Sequence, residues 1–174
     1  MTGAHRAVPT TVDDPAVSVT SIVPSAAAMR DFGGLLAGVL RAGDLVVLTG
    51  DLGAGKTTLT QGIGARLMVR GDITSPTFVI ARVHPSLVGG PPLVHVDAYR
   101  LDTLAEVDDL DLDASLEESV TVVEWGEGKV EELSADRLEV TLHRGSDETD
   151  ETRTASVRAV GDRWSGVDLG PLAG

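Results

Sequence analysis

Residues 45–67 limit what this chain can become more than any other stretch of it. Leu45-Val46-Val47-Leu48 is a short, unbroken apolar run, as expected of a strand buried on both faces. It leads into Gly50-Asp51-Leu52-Gly53-Ala54-Gly55-Lys56-Thr57-Thr58. Leu59, Ile63 and Leu67 then recur at helical spacing, in a helix weakened by Gly62 and Gly64. Gly50 to Thr57 fit the pattern G-x-x-x-x-G-K-[ST] in full, between the strand and the helix that the pattern requires. Its glycines let the backbone turn so that successive N–H groups point inward at phosphate oxygens. The helix N-terminus near Lys56 adds the positive end of its dipole. Lys56 is expected on the β- and γ-phosphates of a nucleotide, and the Thr57 hydroxyl on Mg²⁺. Lys56 and Lys129 are the only lysines in a chain that otherwise uses arginine, so compositional drift does not account for a lysine at that position.

Around this unit the chain alternates strands and helices. Residues 1–16 carry Pro, Thr and Asp without periodicity and read as a loose tail. Val17 to Val23 alternate as a strand with one buried face, Pro24-Ser25 supply a stop and an N-cap, and Met29, Phe32, Leu35, Leu36, Val39 and Leu40 predict a helix closed by Gly43. Thr77 to Val83 and Leu93 to Val96 read as strands split by the turn-rich His84 to Pro92. Residues 102–118 hold eight Asp and Glu among scattered Leu, which reads as short helices with a solvated acidic face. Val120 to Val123 is another buried strand. Arg137 to Leu142 and Arg153 to Val160 flank a polar hairpin loop, Ser146 to Asp150. Residues 161–174 show little pattern and read as a C-terminal tail. One domain over 17–160 follows, of α/β class: a P-loop NTPase-type three-layer sandwich with a mostly parallel central sheet and an antiparallel strand pair late in the chain.

Composition narrows the chemistry. Acidic residues outnumber basic ones 27 to 14, a formal net charge of -13, so autonomous binding to a phosphate backbone is disfavoured. No cysteine is present, which excludes disulfides, thiolate metal sites and cysteine nucleophiles. No apolar run approaches the roughly 18–20 residues that span a bilayer, and the first residues lack the apolar segment of a secretory signal; a cytoplasmic location is expected. A phosphate-binding loop needs a further carboxylate near its metal, and two strands end in one: Leu93-Val94-His95-Val96-Asp97 and Val120-Thr121-Val122-Val123-Glu124. Both acids should emerge at the carboxyl edge of the sheet, where α/β folds bind ligands. One could hold Mg²⁺ through water while the other ligates it or orients the attacking water. The chain contains no asparagine, so the N-K-x-D guanine-reading motif is impossible and ATP is favoured. Gln61, the only glutamine, lies inside the helix, so a transporter-type glutamine loop is missing. His5, His84, His95 and His143 show no metal-ligand spacing, and His95 is placed in or beside its strand.

These motifs in this order carry a family resemblance. Gly50 to Thr58, then Ser75-Pro76-Thr77-Phe78, then His95-Val96-Asp97-Ala98-Tyr99-Arg100-Leu101, then Glu124-Trp125 resemble the TsaE family, small P-loop ATPases of bacterial tRNA threonylcarbamoyladenosine synthesis. The likeness runs from about Val19 to Val160. It implies that Ser75-Pro76-Thr77 is a switch segment near the γ-phosphate, with Ser75 and Thr77 as binding residues. It implies that Asp97 is the Walker B acid, Glu124 the metal-linked catalytic acid, and Trp125 a nucleotide-site tryptophan whose surroundings change on binding. Adenine would lie against Val23 to Met29, where Met29 replaces a threonine common in the family. The resemblance further implies an ATPase that joins the transferase TsaD and its companion TsaB, with tRNA held mainly by those partners and without itself transferring the threonylcarbamoyl group. The bare motif also admits a small-molecule kinase or a nucleotide-dependent interaction module that does not hydrolyse. A kinase would add an arginine-bearing lid, for which only Arg100 and Arg137 offer themselves; pure binding would need fewer acids than Asp97 and Glu124.

Overall fold

The computed structural model describes residues 17–76, 81–98, 115–125 and 134–174. The proposed tail 1–16, the run 77–80 with Thr77, Tyr99-Arg100, the acidic run as far as 114, and Lys129 lie outside the described residues. In chain order the elements are β1 (Ser18–Val23), α1 (Ala26–Ala37), β2 (Leu45–Gly50), α2 (Lys56–Leu67), β3 (Ala81–His84), β4 (Leu93–Asp97), β5 (Val120–Glu124), β6 (Arg137–Arg144) and β7 (Arg153–Val160). Two 3₁₀ turns follow, Asp162–Trp164 and Gly170–Leu172.

The strands form one sheet in the order β1-β7-β6-β2-β5-β4-β3. β6, β2, β5 and β4 run parallel, whereas β1–β7, β6–β7 and β3–β4 are antiparallel. The expected parallel centre and late antiparallel pair are therefore both present. β2 is the apolar run predicted for two-sided burial, β4 and β5 are buried in the same way, and the alternate residues of all three feed two cores. Val46, Leu48, Val120 and Val122 pack with α1 and α2, while Leu45, Val47, Val94, Val96 and Val123 pack on the opposite face with Leu116.

Ser25 caps α1 as expected, its hydroxyl accepting from the Ala28 N–H at 3.1 Å. The helix does not continue to Gly43. It ends at Ala37, because Val39 and Leu40 donate to Leu36 and Ala37, three residues back, in a tightened turn that preserves apolar spacing without α geometry. Gly43 instead makes the turn into β2 at φ +96°.

The two helices lie against each other through glycines. A Cβ on Gly33 would sit 3.1 Å from the Gly62 Cα and against the Leu59 carbonyl oxygen; one on Gly62 would sit 2.9 Å from the Arg30 Cα and against its carbonyl oxygen. Gly62, which weakens the helix by propensity, thus allows this close approach, whereas Gly64 makes room for the side chains of Ile73 and Val69. Residues 161–174 carry part of the core: Trp164, Leu169 and Leu172 are buried with α1 and the sheet. Arg163 fixes this segment by two 3.0 Å bonds to the buried Asp44 carboxylate and one of 3.1 Å to the Val39 carbonyl.

Candidate functional site

The site is built where β2, β4 and β5 end side by side. The turn after β2 needs its glycines: Gly53 sits at φ +79° and Gly55 at φ +107°, a region costly for residues with a Cβ. Met29 of α1 packs against Gly55, with its Cε 3.2 Å from where a Cβ would stand. Lys56 opens α2, so the first N–H groups of that helix have no carbonyl partner one turn back and face the turn. The register of the parallel pair β4–β5 places Asp97 opposite Glu124. Both acids are buried, as is Lys56.

These residues surround one cavity of about 490 Å³, lined by Leu52, Gly53, Gly55, Lys56, Thr57, Thr58, Ser75, Asp97, Glu124 and Trp125. Of the predicted residues, Gly50 and Asp51 contribute backbone carbonyls, and the buried Ala54 lines a smaller neighbouring cavity with Gly53, Gly55 and Thr58. Thr77 lies outside the described residues, and Ser75 alone represents its segment here.

The Lys56 ammonium donates to the carbonyl oxygens of Gly50 (2.6 Å) and Asp51 (3.0 Å) and lies 4.0 Å from the centre of the Trp125 ring. Burial pushes its pKa below the usual lysine value, and the charges of Glu124, Asp97 and Asp51 oppose that fall. Thr57 Oγ1 donates to Glu124 Oε1 at 3.4 Å. Trp125 takes the left-handed conformation at φ 60°, and its N–H is held by the Leu48 carbonyl of β2 at 3.0 Å.

A hydroxyl and two carboxylates beside a helix N-terminus are hard oxygen donors, the chemistry that suits Mg²⁺ bound to phosphates. Among the described residues no group of three or more His, Cys, Asp or Glu side chains converges on a metal-sized site, and Mg²⁺ shared with a nucleotide requires none.

Three features escaped the sequence reading. Buried His95 donates from Nε2 to Glu124 Oε1 at 2.9 Å. Strand alternation was the available signal, since residues 95 and 97 share a face. Arg153 reaches the Gly53 carbonyl at 3.4 Å from the β6–β7 hairpin, and lines the smaller cavity with Glu151, Ser25 and Met29. Arg144 of the same hairpin comes close to Gly53 as well. Only the fold, which brings the hairpin to the turn, reveals these arginines.

Comparison with known proteins decides the family. The model of the family described as threonylcarbamoyl adenosine biosynthesis protein TsaE matches residues 23–155. The chain belongs to the TsaE family. A TsaE from Streptomyces coelicolor is 64% identical over 148 residues, covering 84% of this chain and 100% of the relative. The TsaE of Mycobacterium tuberculosis is 52% identical over 134 residues, 73% of this chain and 80% of its own. That of Bacillus subtilis is 39% identical over 131 residues, 75% and 78% respectively. Among solved structures, the crystal structure of Bacillus subtilis YdiB superposes with a TM-score of 0.68 at 28% identity, covering 86% of this chain and 90% of that one. The TsaE match and this superposition agree with the α/β P-loop-type architecture described above.

Proposed function

We propose that this chain binds and hydrolyses ATP with Mg²⁺ in tRNA threonylcarbamoyladenosine biosynthesis, acting on a TsaD–TsaB transferase complex to support repeated rounds of modification at adenosine 37. The observation that carries the reading is the convergence of Lys56, Thr57, Asp97 and Glu124 on one cavity beside the glycine turn, in a chain of the TsaE family. The relatives are named as tRNA threonylcarbamoyladenosine biosynthesis proteins, which supports the pathway assignment.

The chemistry asked of these residues is positioning and charge stabilisation, because phosphoryl transfer needs little covalent help. Gly50 to Thr58 would cradle the phosphates. Lys56, already buried, would leave the carbonyls of Gly50 and Asp51 for phosphate oxygens. Mg²⁺, when bound, neutralises charge on the phosphates. Thr57, Asp97 and Glu124 would hold it, and Glu124 would orient the attacking water, whose addition to the terminal phosphate yields ADP and inorganic phosphate. Ser75 and Trp125 would close the cavity over the nucleotide, with Thr77 following Ser75 in the chain. Arginines that complete such sites in trans raise rates by roughly 10³–10⁵, so slow turnover alone and faster turnover with partners is expected. A cytoplasmic site of action fits; among the described residues no helix is long and apolar enough to cross a membrane.

The test measures phosphate release by the chain alone and with TsaD and TsaB, alongside tRNA modification over many turnovers. Asp97→Asn and Glu124→Gln should each slow hydrolysis on the order of 10²-fold or more. Modification that proceeds equally without this chain would overturn the reading, as would wild-type turnover in both variants.

A further inference from the structure

His95 has no part in the mechanism above, yet it is the fully buried histidine that touches a proposed catalytic acid. Strand alternation places Leu93, His95 and Asp97 on the face of β4 that looks toward α2, and Val122 and Glu124 on the same face of β5. His95 pairs with Val122 in the register, one step below the Asp97–Glu124 pair. From there its Nε2 reaches diagonally to Glu124 Oε1 at 2.9 Å, with both side chains almost wholly out of solvent. The second bond to that oxygen comes from Thr57 at 3.4 Å, so both bonds end on Oε1. Among the described residues His95 Nδ1 has no partner. The neutral ring with its hydrogen on Nε2 satisfies this geometry. It gives the carboxylate a donor and leaves only an acceptor unpaired.

We propose that His95 is a positioning residue: its Nε2–H clamps Oε1 of Glu124, the oxygen that Thr57 also holds, and so fixes the carboxylate plane at the cavity. A free glutamate at a strand end samples several rotamers, and a buried charge-assisted bond selects one. Removing a partner that orients a metal-site carboxylate typically costs about 10–100-fold in activity or metal affinity. The inference rests on the hydrolytic reading only for its functional consequence; the contact itself stands apart from it.

The experiment uses the full chain carrying His95→Leu, His95→Gln, Glu124→Gln and the His95→Leu/Glu124→Gln pair. His95→Leu should lower kcat for phosphate release about 10–100-fold, while Mg²⁺-free nucleotide binding, read from tryptophan fluorescence, changes little. His95→Gln, whose amide can donate from nearly the same place, should restore most of the rate. In the Glu124→Gln background His95→Leu should cost nothing further, which a merely structural role would not reproduce. In the ligand-free protein, ¹⁵N-imidazole spectra assigned by loss in His95→Gln should show the Nε2–H tautomer and move on Glu124→Gln. An undiminished kcat in His95→Leu overturns the proposal, as does a His95→Gln no better than His95→Leu, or an equal loss in both backgrounds. If the wild-type chain releases no phosphate either alone or with TsaD and TsaB, the hydrolytic reading fails by itself. The spectra then decide the clamp, and an Nδ1–H tautomer or a signal indifferent to Glu124→Gln overturns it.

Discussion

Two glycines on the paired helices should respond to alanine with opposite signs. Intrinsic propensity favours both changes, because glycine inside a helix costs about 1 kcal/mol relative to alanine. Gly34 has nothing within 4 Å of a new Cβ, so Gly34→Ala should realise most of that gain, about 0.4–1 kcal/mol. At Gly62 the new methyl meets the Arg30 carbonyl oxygen, with the Arg30 C and Cα at 2.9 Å. Carbon atoms rest at about 3.5–4.0 Å, and the obstruction is backbone, so no side chain can rotate away. α1 would have to lift off α2, loosening Met29, Phe32 and Leu36 from Leu59 and Ile63. Overpacking of this kind costs about 1–3 kcal/mol. With a rigid neighbour the upper end applies, and subtracting the propensity gain leaves a net loss of about 2 kcal/mol. For a chain of this size 1 kcal/mol moves Tm by about 2–4 °C. Gly62→Ala should therefore melt about 4–8 °C lower and Gly34→Ala slightly higher than wild type. Urea unfolding with the slope checked for constancy gives the free energies directly. A Gly62→Ala protein as stable as wild type would refute the close-packing argument, and a destabilised Gly34→Ala would refute the claim of open space.

Arg163→Met should lower stability by about 3–5 kcal/mol by leaving Asp44 buried without its partner, and the Asp44→Asn/Arg163→Met pair should recover part of the loss in the same urea titration. Trp125→Phe should abolish any nucleotide-linked fluorescence change, since the other tryptophan, Trp164, is buried away from the site with the C-terminal turns; equilibrium dialysis should show that nucleotide still binds. Burial lowers the His84 pKa, while its Nδ1 lies 3.1 Å from the Arg70 carbonyl. The unfolded chain therefore takes up this proton first, near pH 6.5. The contribution is complete above that value and is lost as pH falls through it toward the lowered folded value. Urea midpoints between pH 7.5 and 5.5 should fall more steeply in wild type than in His84→Gln.

Much of this architecture was legible because its signals are local. The run 45–48, the turn 50–58 and the strand-ending acids Asp97 and Glu124 each declare themselves within a few residues, and strand pairing brings them to one edge. The end of α1 was not legible, since Val39 and Leu40 keep helical spacing while the hydrogen bonding has already changed. The burial of Trp164, Leu169 and Leu172 was equally hidden, because three-residue turns are too short to show a period. His95 and Arg153 find Glu124 and Gly53 only through strand order, at separations of 29 and 100 residues.

The pairing of β1 with β7 has a kinetic consequence. Thr20 and Ser156 face each other across 136 residues, so the first strand of the fold has no neighbour in the sheet until the last strand has been made. At synthesis rates of about 5–20 residues per second, β1 waits roughly 7–27 s on the ribosome with its hydrogen-bonding edge unpaired. β2 waits as well, because both strands beside it, β5 and β6, also emerge later. The turn after β2 is translated early and assembled late.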